Sequence, residues 1–424
     1  LGRCPECGEW GTMESRSSAP AGPRGPGLRS ARAPELTTLS EASTSDLSRT
    51  SSGMDEVDRV LGGGWVEGGV VLMAGEPGIG KSTLLLQLAS HSVAAGRHTL
   101  LVAGEEAINQ VRMRAERLGV GGALQLTRES DARSLAAHIA AAGPGLVIVD
   151  SIQTLISEDG GTPGSITQVR DSTALLTDAA KRGGASLVLI GHVTKQGQVA
   201  GPRTVEHMVD ATLSLESAAG FRVLRGIKNR FGSTGEMGVF EMTGEGMIPV
   251  ANPSEAFLAE RVEGVAGSVI VAALEGQRPL LLEVQALASK TPYPAPRRVV
   301  QGLDQRRVDV VLAVLERRLE LPLSGLDVFV NVAGGLRLSD PGTDLAVALA
   351  VYSAVTNRPL AEGTAVAGEV GLAGELRSVP QLARRFAEAH RAGYHRLVGP
   401  RSGGKGSAHA TTLAEAIELA WHGN

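Results

Sequence analysis

Residues 70–88 read VVLMAGEPGIGKSTLLLQL, and the rest of the chain is arranged around them. An apolar run, a glycine-rich turn and a second apolar run predict a buried strand, a tight loop and a helix. The turn Gly75-Glu76-Pro77-Gly78-Ile79-Gly80-Lys81-Ser82, followed by Thr83, fits G-x-x-x-x-G-K-[ST]. Glycines at this spacing let the backbone wrap so that successive N–H groups point inward at phosphate oxygens. A helix starting near Lys81 adds its positive dipole end. Lys81 is placed to reach the β- and γ-phosphates, and Ser82 to ligate Mg2+. The pattern predicts a nucleotide site for ATP or ADP with Mg2+. The alternative is a chance glycine-rich turn ahead of a helix.

The chain has 424 residues, which suits two or three domains. Apolar content of 42% and charged content of 20% describe a globular protein with sizeable cores. Aromatic residues make up only 3%, so aliphatic side chains and alanine must fill those cores. With 41 basic against 45 acidic residues the net charge is −4, which excludes a global basic field for nucleic acid. Any DNA contact must come from local patches. No run is long and apolar enough to span a bilayer and no signal peptide is visible, so no membrane role is expected. Two cysteines exclude a disulfide scaffold and suit a reducing cytoplasm. Leu1 stands where Met would open a whole chain, which reads as a fragment that has lost its N-terminus.

Cys4-Pro5-Glu6-Cys7-Gly8 is a C-x-x-C knuckle and resembles half of a zinc ribbon. A four-thiolate site needs a second pair, so Zn2+ is expected only if a missing N-terminal Cys pair is present. A redox pair and an inert pair are the alternatives. Residues 15–50, rich in Ser, Ala, Pro, Gly and Arg without apolar periodicity, read as a flexible linker. In 51–69, Met54, Val57, Val60 and Leu61 fall on one face of a short helix that the run Gly62–Gly64 ends.

Beyond the helix that follows the loop, TLLVAG at 99–104 predicts a buried strand with Glu105 and Glu106 at its C-terminal end. In an open α/β sheet that edge is where a ligand lies. A carboxylate there can orient or deprotonate the water that attacks a γ-phosphate, and Glu105 is the favoured residue. Acids decorating a helix N-terminus are the alternative. GLVIVD at 145–150 predicts a third strand whose terminal Asp150 would hold Mg2+, mostly through a water, with Ser151 and Gln153 at the same edge. DGGTPG at 159–164 predicts a mobile loop, 169–182 a helix, and SLVLIG at 186–191 a fourth strand, with His192, Thr194 and Lys195 at its end. His192 is a candidate γ-phosphate sensor or a plain polar strand end. The glycine-containing stretch 193–203 suits a channel lining that touches phosphodiesters, or a connector.

Residues 223–242, VLRGIKNRFGSTGEMGVFEM, alternate and carry glycines, which suggests hairpins. Lys228 and Arg230 flank an Asn at a turn, and in a ring ATPase such cations can reach a neighbouring subunit's γ-phosphate. IPVANP at 248–253 marks a boundary. Beyond it, strands are expected at 267–273, 279–285, 328–332 and 365–370, helices at 306–319, 344–355 and 379–392, and a Pro-rich loop at 286–298. The fold class is α/β: a twisted, mainly parallel sheet with helices on both faces, then a second α/β unit.

Taken together and in order, these motifs resemble the RadA/Sms family of bacterial DNA-repair proteins. The carriers are LGRCPECGEW at 1–10, GEPGIGKST at 75–83, GEE at 104–106, IVDSIQT at 148–154, GHVTKQGQVAGPRTVEHMVD at 191–210, KNRFGSTGEMGVFEM at 228–242 and NPSEAFLAER at 252–261. The resemblance covers nearly the whole chain. It implies a partial zinc ribbon at 1–14 holding Cys4 and Cys7, a linker at 15–50, a RecA-like P-loop ATPase domain at 51–250 and a Lon-protease-like domain at 251–424. It implies a cytoplasmic, nucleoid-associated homo-hexameric ring that drives branch migration of single-stranded or branched DNA during homologous recombination, alongside a recombinase and other recombination proteins. It implies that Lys228 and Arg230 couple nucleotide state to DNA, that Asp150 serves Mg2+ and that Glu105 serves the attacking water. A protease and a RecA-like signalling ATPase are the competing classes. Against the protease, the position matching the Lon serine is Gly342, with Thr343 beside it, and Ala383 takes the place of the Lon lysine. Lys290 and Lys405 are the only lysines of that unit. Arg297, Arg298, Arg306, Arg307, Arg317, Arg318, Arg384 and Arg385 are candidate cations for duplex DNA, or ordinary solvated charges.

Overall fold

A computed structural model describes residues 48–157, 162–192, 203–401 and 407–421. The knuckle with Cys4 and Cys7, the linker up to residue 47, residues 159–161 of the loop at 159–164, residues 193–202 with Thr194 and Lys195, and Lys405 lie outside the described residues.

Strands β1 (Arg49–Thr50) and β2 (Trp65–Val66) pair antiparallel around the helix Asp55–Leu61. That helix stops at Gly62, whose φ of 82° is left-handed and suits only glycine at little cost. The P-loop strand is β3 (Val70–Gly75). With β4 (Thr99–Ala103), β5 (Gln125–Thr127), β6 (Leu146–Asp150), β7 (Ser186–His192), β8 (Ala211–Ala218), β9 (Phe221–Asn229), β10 (Met237–Thr243) and β11 (Gly246–Pro249) it forms a nine-stranded sheet. The spatial order is β11-β10-β9-β8-β3-β7-β6-β4-β5. Pairings from β5 across to β8 are parallel, and β8 to β11 form an antiparallel meander.

Every residue of β3 and β4 is buried, as expected of parallel strands covered on both faces. The period of two divides them cleanly. Val71 and Met73 join Leu84, Leu85 and Leu88 of the helix Lys81–Ala94 in one core. Val70 and Leu72 join Ile139 and Leu176 in the core on the opposite face. Ile139 belongs to the helix Ala132–Ala142, capped by Asp131, and Leu176 to the helix Ile166–Gly183, capped by Ser165. The helix Ala132–Ala142 and strand β5 have no counterpart in the expected element order. Leu146–Asp150 is therefore the fourth strand of this sheet in sequence and not the third, and Ser186–His192 the fifth.

The second sheet has seven strands. They are β12 (Ser268–Glu275), β13 (Arg278–Lys290), β14 (Arg298–Gln301), β15 (Leu326–Val332), β16 (Thr364–Val366) and, after the small hairpin β17 (Glu369–Val370) and β18 (Leu376–Arg377), β19 (Arg396–Gly399) and β20 (Ser407–His409). Their order is β14-β15-β13-β12-β16-β19-β20. Three expectations are corrected here. Residues 286–290 are not loop, because Ala286 to Lys290 pair with Val330 to Leu326 of β15, and the prolines only begin at Pro292. The strand expected at 365–370 breaks after Val366, and Glu369–Val370 turns into the separate hairpin. The helix expected from Val379 starts at Leu382, since Pro380 disfavours the helical conformation before it and Gln381 is left-handed.

The two sheets share a core. Ala218, Val223, Met237 and Val239 of the first pack in one cluster with Val269, Val271, Leu280 and Leu282 of the second and with the apolar helix Asp344–Thr356. Polar ties surround it. Arg278 Nη1 donates to the buried Glu56 carboxylate at 2.5 Å, and Glu56 also accepts from Val239 N at 2.9 Å. Arg225 is ion-paired with Glu275, and Gln277 N donates to Glu236 at 2.9 Å. Among the described residues no helix is long and apolar enough to cross a membrane.

Candidate active site

Strand β3 ends in the P-loop, and the loop delivers the chain into the helix Lys81–Ala94 at its C-terminal edge. Gly78 has a φ of 77° and Gly80 one of 113°, so both carry backbone that other residues adopt only under strain. A Cβ on Gly80 would also collide with the methyls of Met242 and Met247. Gln87 holds Met247 there, accepting from its N–H at 2.9 Å. Arg222 Nε, from β9, donates to Ile79 O at 3.0 Å and steadies the loop from the other side.

Lys81 is buried, and its Nζ donates to Gly75 O at 2.9 Å and Glu76 O at 3.0 Å. Burial pushes this ammonium below the ordinary lysine range, while the carboxylates of Asp150 and Glu105 oppose that shift. Ser82 Oγ donates to Asp150 Oδ2 at 2.5 Å, so the two residues expected to serve Mg2+ already face one another. Parallel pairing sets β4 beside β6 with Ala103 opposite Asp150. Ser151 Oγ then donates to Glu105 Oε1 at 2.5 Å. Ser151 is itself held by Thr154, whose Oγ1 donates to Ser151 O at 2.8 Å. Gly104 is where the two strand ends touch: a Cβ there would strike Thr154, so only glycine fits. Glu106 diverges from Glu105, since Arg114 Nη2 donates to its Oε1 at 2.5 Å. His192 ends β7 opposite Gly75, and its side chain lies outside the described residues.

The structure thus brings Lys81, Ser82, Asp150 and Glu105 to one sheet edge. Glycine conformations, a buried cation, a paired hydroxyl and carboxylate, and a second carboxylate held by a serine fit a Mg2+-nucleotide. The sequence placed Ser151 at this edge; its bond to Glu105 and the support from Arg222 are new from the structure. Ser151 stands next to Asp150 in sequence, but its link to Glu105 spans 46 residues.

Lys228 and Arg230 lie elsewhere. Lys228 Nζ donates to Glu206 O at 2.5 Å and Val209 O at 2.6 Å. Arg230 Nη1 lies 3.2 Å from Asp210 Oδ1, and Asp210 Oδ2 accepts from Val70 N at 3.1 Å. They therefore sit at the Val70 end of β3, and the P-loop leaves from the Gly75 end, roughly 15–20 Å along the strand. Burial, and then the neighbouring Arg230, push the Lys228 ammonium down, against Asp210 and Glu206.

In the second sheet Arg385 is fully buried, and the expectation that it offers a surface cation is corrected. Leu382, Arg385, Phe386 and Ala389 form the buried stripe of the helix Leu382–Arg391. Arg385 is paired with Asp340, with Nη2 2.9 Å from Oδ1, and donates through Nε to Pro380 O at 2.8 Å and through Nη1 to Ala272 O at 3.1 Å. A Cβ on Gly342 would lie 2.8 Å from Arg385 Nη1, so the guanidinium fills the space a serine would need. Ala383 is exposed on the other side of the helix, and Lys290 is exposed at the end of β13. A guanidinium stays protonated and cannot take a proton from a nucleophile. Arg307 is bound in both arms to Asp344, at 2.6 and 2.7 Å, and this pairing holds it charged. Arg298 donates to Leu323 O at 2.9 Å and to Leu326 O. Arg306 and Arg317 remain exposed. Among the described residues no cluster of three or more His, Cys, Asp or Glu side chains could hold a metal.

Comparison with known proteins follows the same division. Residues 36–198 match the AAA domain family, and residues 301–403 match the family of subunit ChlI of Mg-chelatase. The architecture is a RecA-like P-loop core followed by a ChlI- and Lon-like α/β domain. The chain is 43% identical over 409 residues to the DNA repair protein RadA of Bacillus subtilis strain 168, covering 94% of this chain and 89% of that protein. It is 43% identical over 429 residues to DNA repair protein RadA of Mycobacterium tuberculosis H37Rv, covering 99% and 89%. It is 44% identical over 404 residues to that of Pseudomonas aeruginosa PAO1, covering 94% and 89%. With a P-loop ATPase site built on the first sheet and this similarity running through both, the chain belongs to the RadA family of DNA repair proteins.

Proposed function

We propose that this ATP-hydrolysing protein is a DNA-dependent motor, a homo-hexameric ring that acts on single-stranded or branched DNA, promotes branch migration and processes recombination intermediates. One observation carries the ring. Lys228 and Arg230 lie at the wrong end of β3 to serve their own nucleotide, and a ring lets such cations serve the next subunit's. At its own site, Lys81 would turn from the loop carbonyls toward the β- and γ-phosphates. Glu105, aligned by Ser151, would orient the attacking water. Ser82 and Asp150 would hold the Mg2+ that screens phosphate charge. The ATPase domain spans 51–250 and the Lon-like domain 251–424 in this reading. The latter serves as scaffold and, through exposed residues such as Arg306 and Arg317, as a basic surface for duplex DNA. It cleaves no peptide, a reading supported by the Arg385–Asp340 pair beside Gly342. Recombinases and other recombination proteins are its expected partners, in the cytoplasm near the nucleoid.

The test is ATP turnover with and without single-stranded DNA across a salt series. Stimulation by DNA that fades steeply as salt rises is expected. A rate indifferent to DNA at low salt would point to a signalling ATPase instead.

A further inference from the structure

A cleft of about 490 Å3 opens where the helix Asp55–Leu61, the connection around residue 252 and the helix Leu382–Arg391 meet. Arg384, Glu388 and Arg391 reach it from one face of their helix, and Arg59, Arg278 and Ser254 also line it. Asn252 adds a carboxamide, and the rest of the lining is apolar, chiefly proline and alanine.

The charges do not balance. Four guanidinium groups meet two carboxylates. Glu388 is fully engaged, accepting from the buried Ser254 Oγ at 2.9 Å and from Arg391 Nη1 at 2.6 Å. Glu56, beneath the cleft, is shared by Arg278 at 2.5 Å and Arg59 at 3.5 Å. Arg384 donates to a neutral partner, the Gln381 carboxamide, at 2.6 Å. Two positive charges are left over around the cleft, and their field favours an anion. Each guanidinium presents five N–H donors in a planar fork, and these four arginines spend only part of theirs on the bonds described.

We propose that this cleft binds a small molecule bearing a phosphate monoester. A monoester is a dianion near neutral pH and matches the surplus of two, whereas each phosphodiester of a nucleic-acid backbone offers one charge. Guanidinium forks bind phosphate through paired hydrogen bonds. The volume falls within the range of small-molecule sites, and the apolar wall suits a compact organic body. No lining residue belongs to the P-loop or its carboxylates, so this inference and the ATPase reading stand or fall separately.

The experiment uses the whole chain with its P-loop filled by Mg2+-ADP, and titration calorimetry with ribose 5-phosphate. Ribose and inorganic phosphate are run beside it. Ribose 5-phosphate should bind, inorganic phosphate more weakly, and ribose not at all. Arg59→Gln and Arg384→Gln, both at exposed side chains, should each weaken binding about tenfold or more while the ligand-free melting temperature holds. Arg278 is left intact because it neutralises Glu56. Absence of binding at millimolar ribose 5-phosphate, or binding unchanged in both variants, overturns the proposal. So does displacement of ribose 5-phosphate by duplex DNA with 5′-hydroxyl ends, since the cleft would then be reading backbone.

Discussion

Replacing Arg385 by Met keeps most of its volume and removes its charge, and the structure says what that should cost. Arg385 has no exposed surface, and its guanidinium serves Asp340, Ala272 O and Pro380 O. Without it, Asp340 keeps only the N–H groups of Leu274 and Gly342, both at 3.0 Å, and two carbonyls lose a donor. A buried carboxylate stripped of its partner costs about 3–5 kcal/mol. At about 2–4 °C per kcal/mol, that is a drop of roughly 6–20 °C in the melting transition of the C-terminal sheet. Arg385→Met with Asp340→Asn should recover part of the loss. The stranded charge is gone, an amide oxygen still accepts one backbone N–H, and what remains is one or two unmade hydrogen bonds at about 1–3 kcal/mol each. Arg384→Ala, one residue away but exposed, should stay within about 0.5 kcal/mol. Differential scanning calorimetry and denaturant melts on the four proteins provide the measurement. Arg385→Met within about 1 kcal/mol of the parent, or a double variant less stable than the single, would refute the argument. The same result fixes how DNA binding should be probed: a variant that changes Arg385 together with Arg384 measures unfolding, not a lost contact.

Lys81→Ala should lower ATP turnover about 100-fold or more, because a cation aimed at the γ-phosphate is lost; a wild-type rate in the purified variant would remove this loop from the chemistry. Ser151→Ala should lower kcat roughly tenfold to a hundredfold at unchanged KM, as Glu105 loses the donor that aims it; steady-state kinetics showing only a KM effect would assign Ser151 to binding. Mixing Lys228→Ala with Lys81→Ala subunits should restore part of the activity, since some interfaces then keep both sites intact, and no recovery in verified mixed assemblies counts against action in trans.

What the sequence made legible was local. The P-loop, the strand ending in Asp150 and the acids after Thr99–Ala103 are written within a few residues each, and parallel pairing brings them together with little freedom. The helix Ala132–Ala142 carries only two large apolar side chains, Leu135 and Ile139, among its alanines, which makes its buried stripe faint in sequence. Strand β13 runs past Ala286 because β15 offers it partners 36 to 44 residues on, which no local pattern announces. Arg385 counted as a surface charge on residue type alone. Its spacing from Leu382 and Ala389 put it on the buried stripe, and only Asp340, 45 residues away, makes that tolerable. Arg307 is the same lesson at smaller scale, with Asp344 supplied by another helix.

The core shared between the two sheets has a consequence for how the protein can be cut. A polypeptide stopping at residue 250 would present Ala218, Val223, Met237 and Val239 to water and leave Glu56 without Arg278. It should aggregate, or refold only when the other half is supplied in the same cell. Most domain junctions slide because their surfaces are modest and polar. This one is an apolar weld, so a few degrees of tilt in the P-loop sheet must carry the C-terminal sheet along with it. Any such tilt would reach the far half through packed side chains and not through a slack joint.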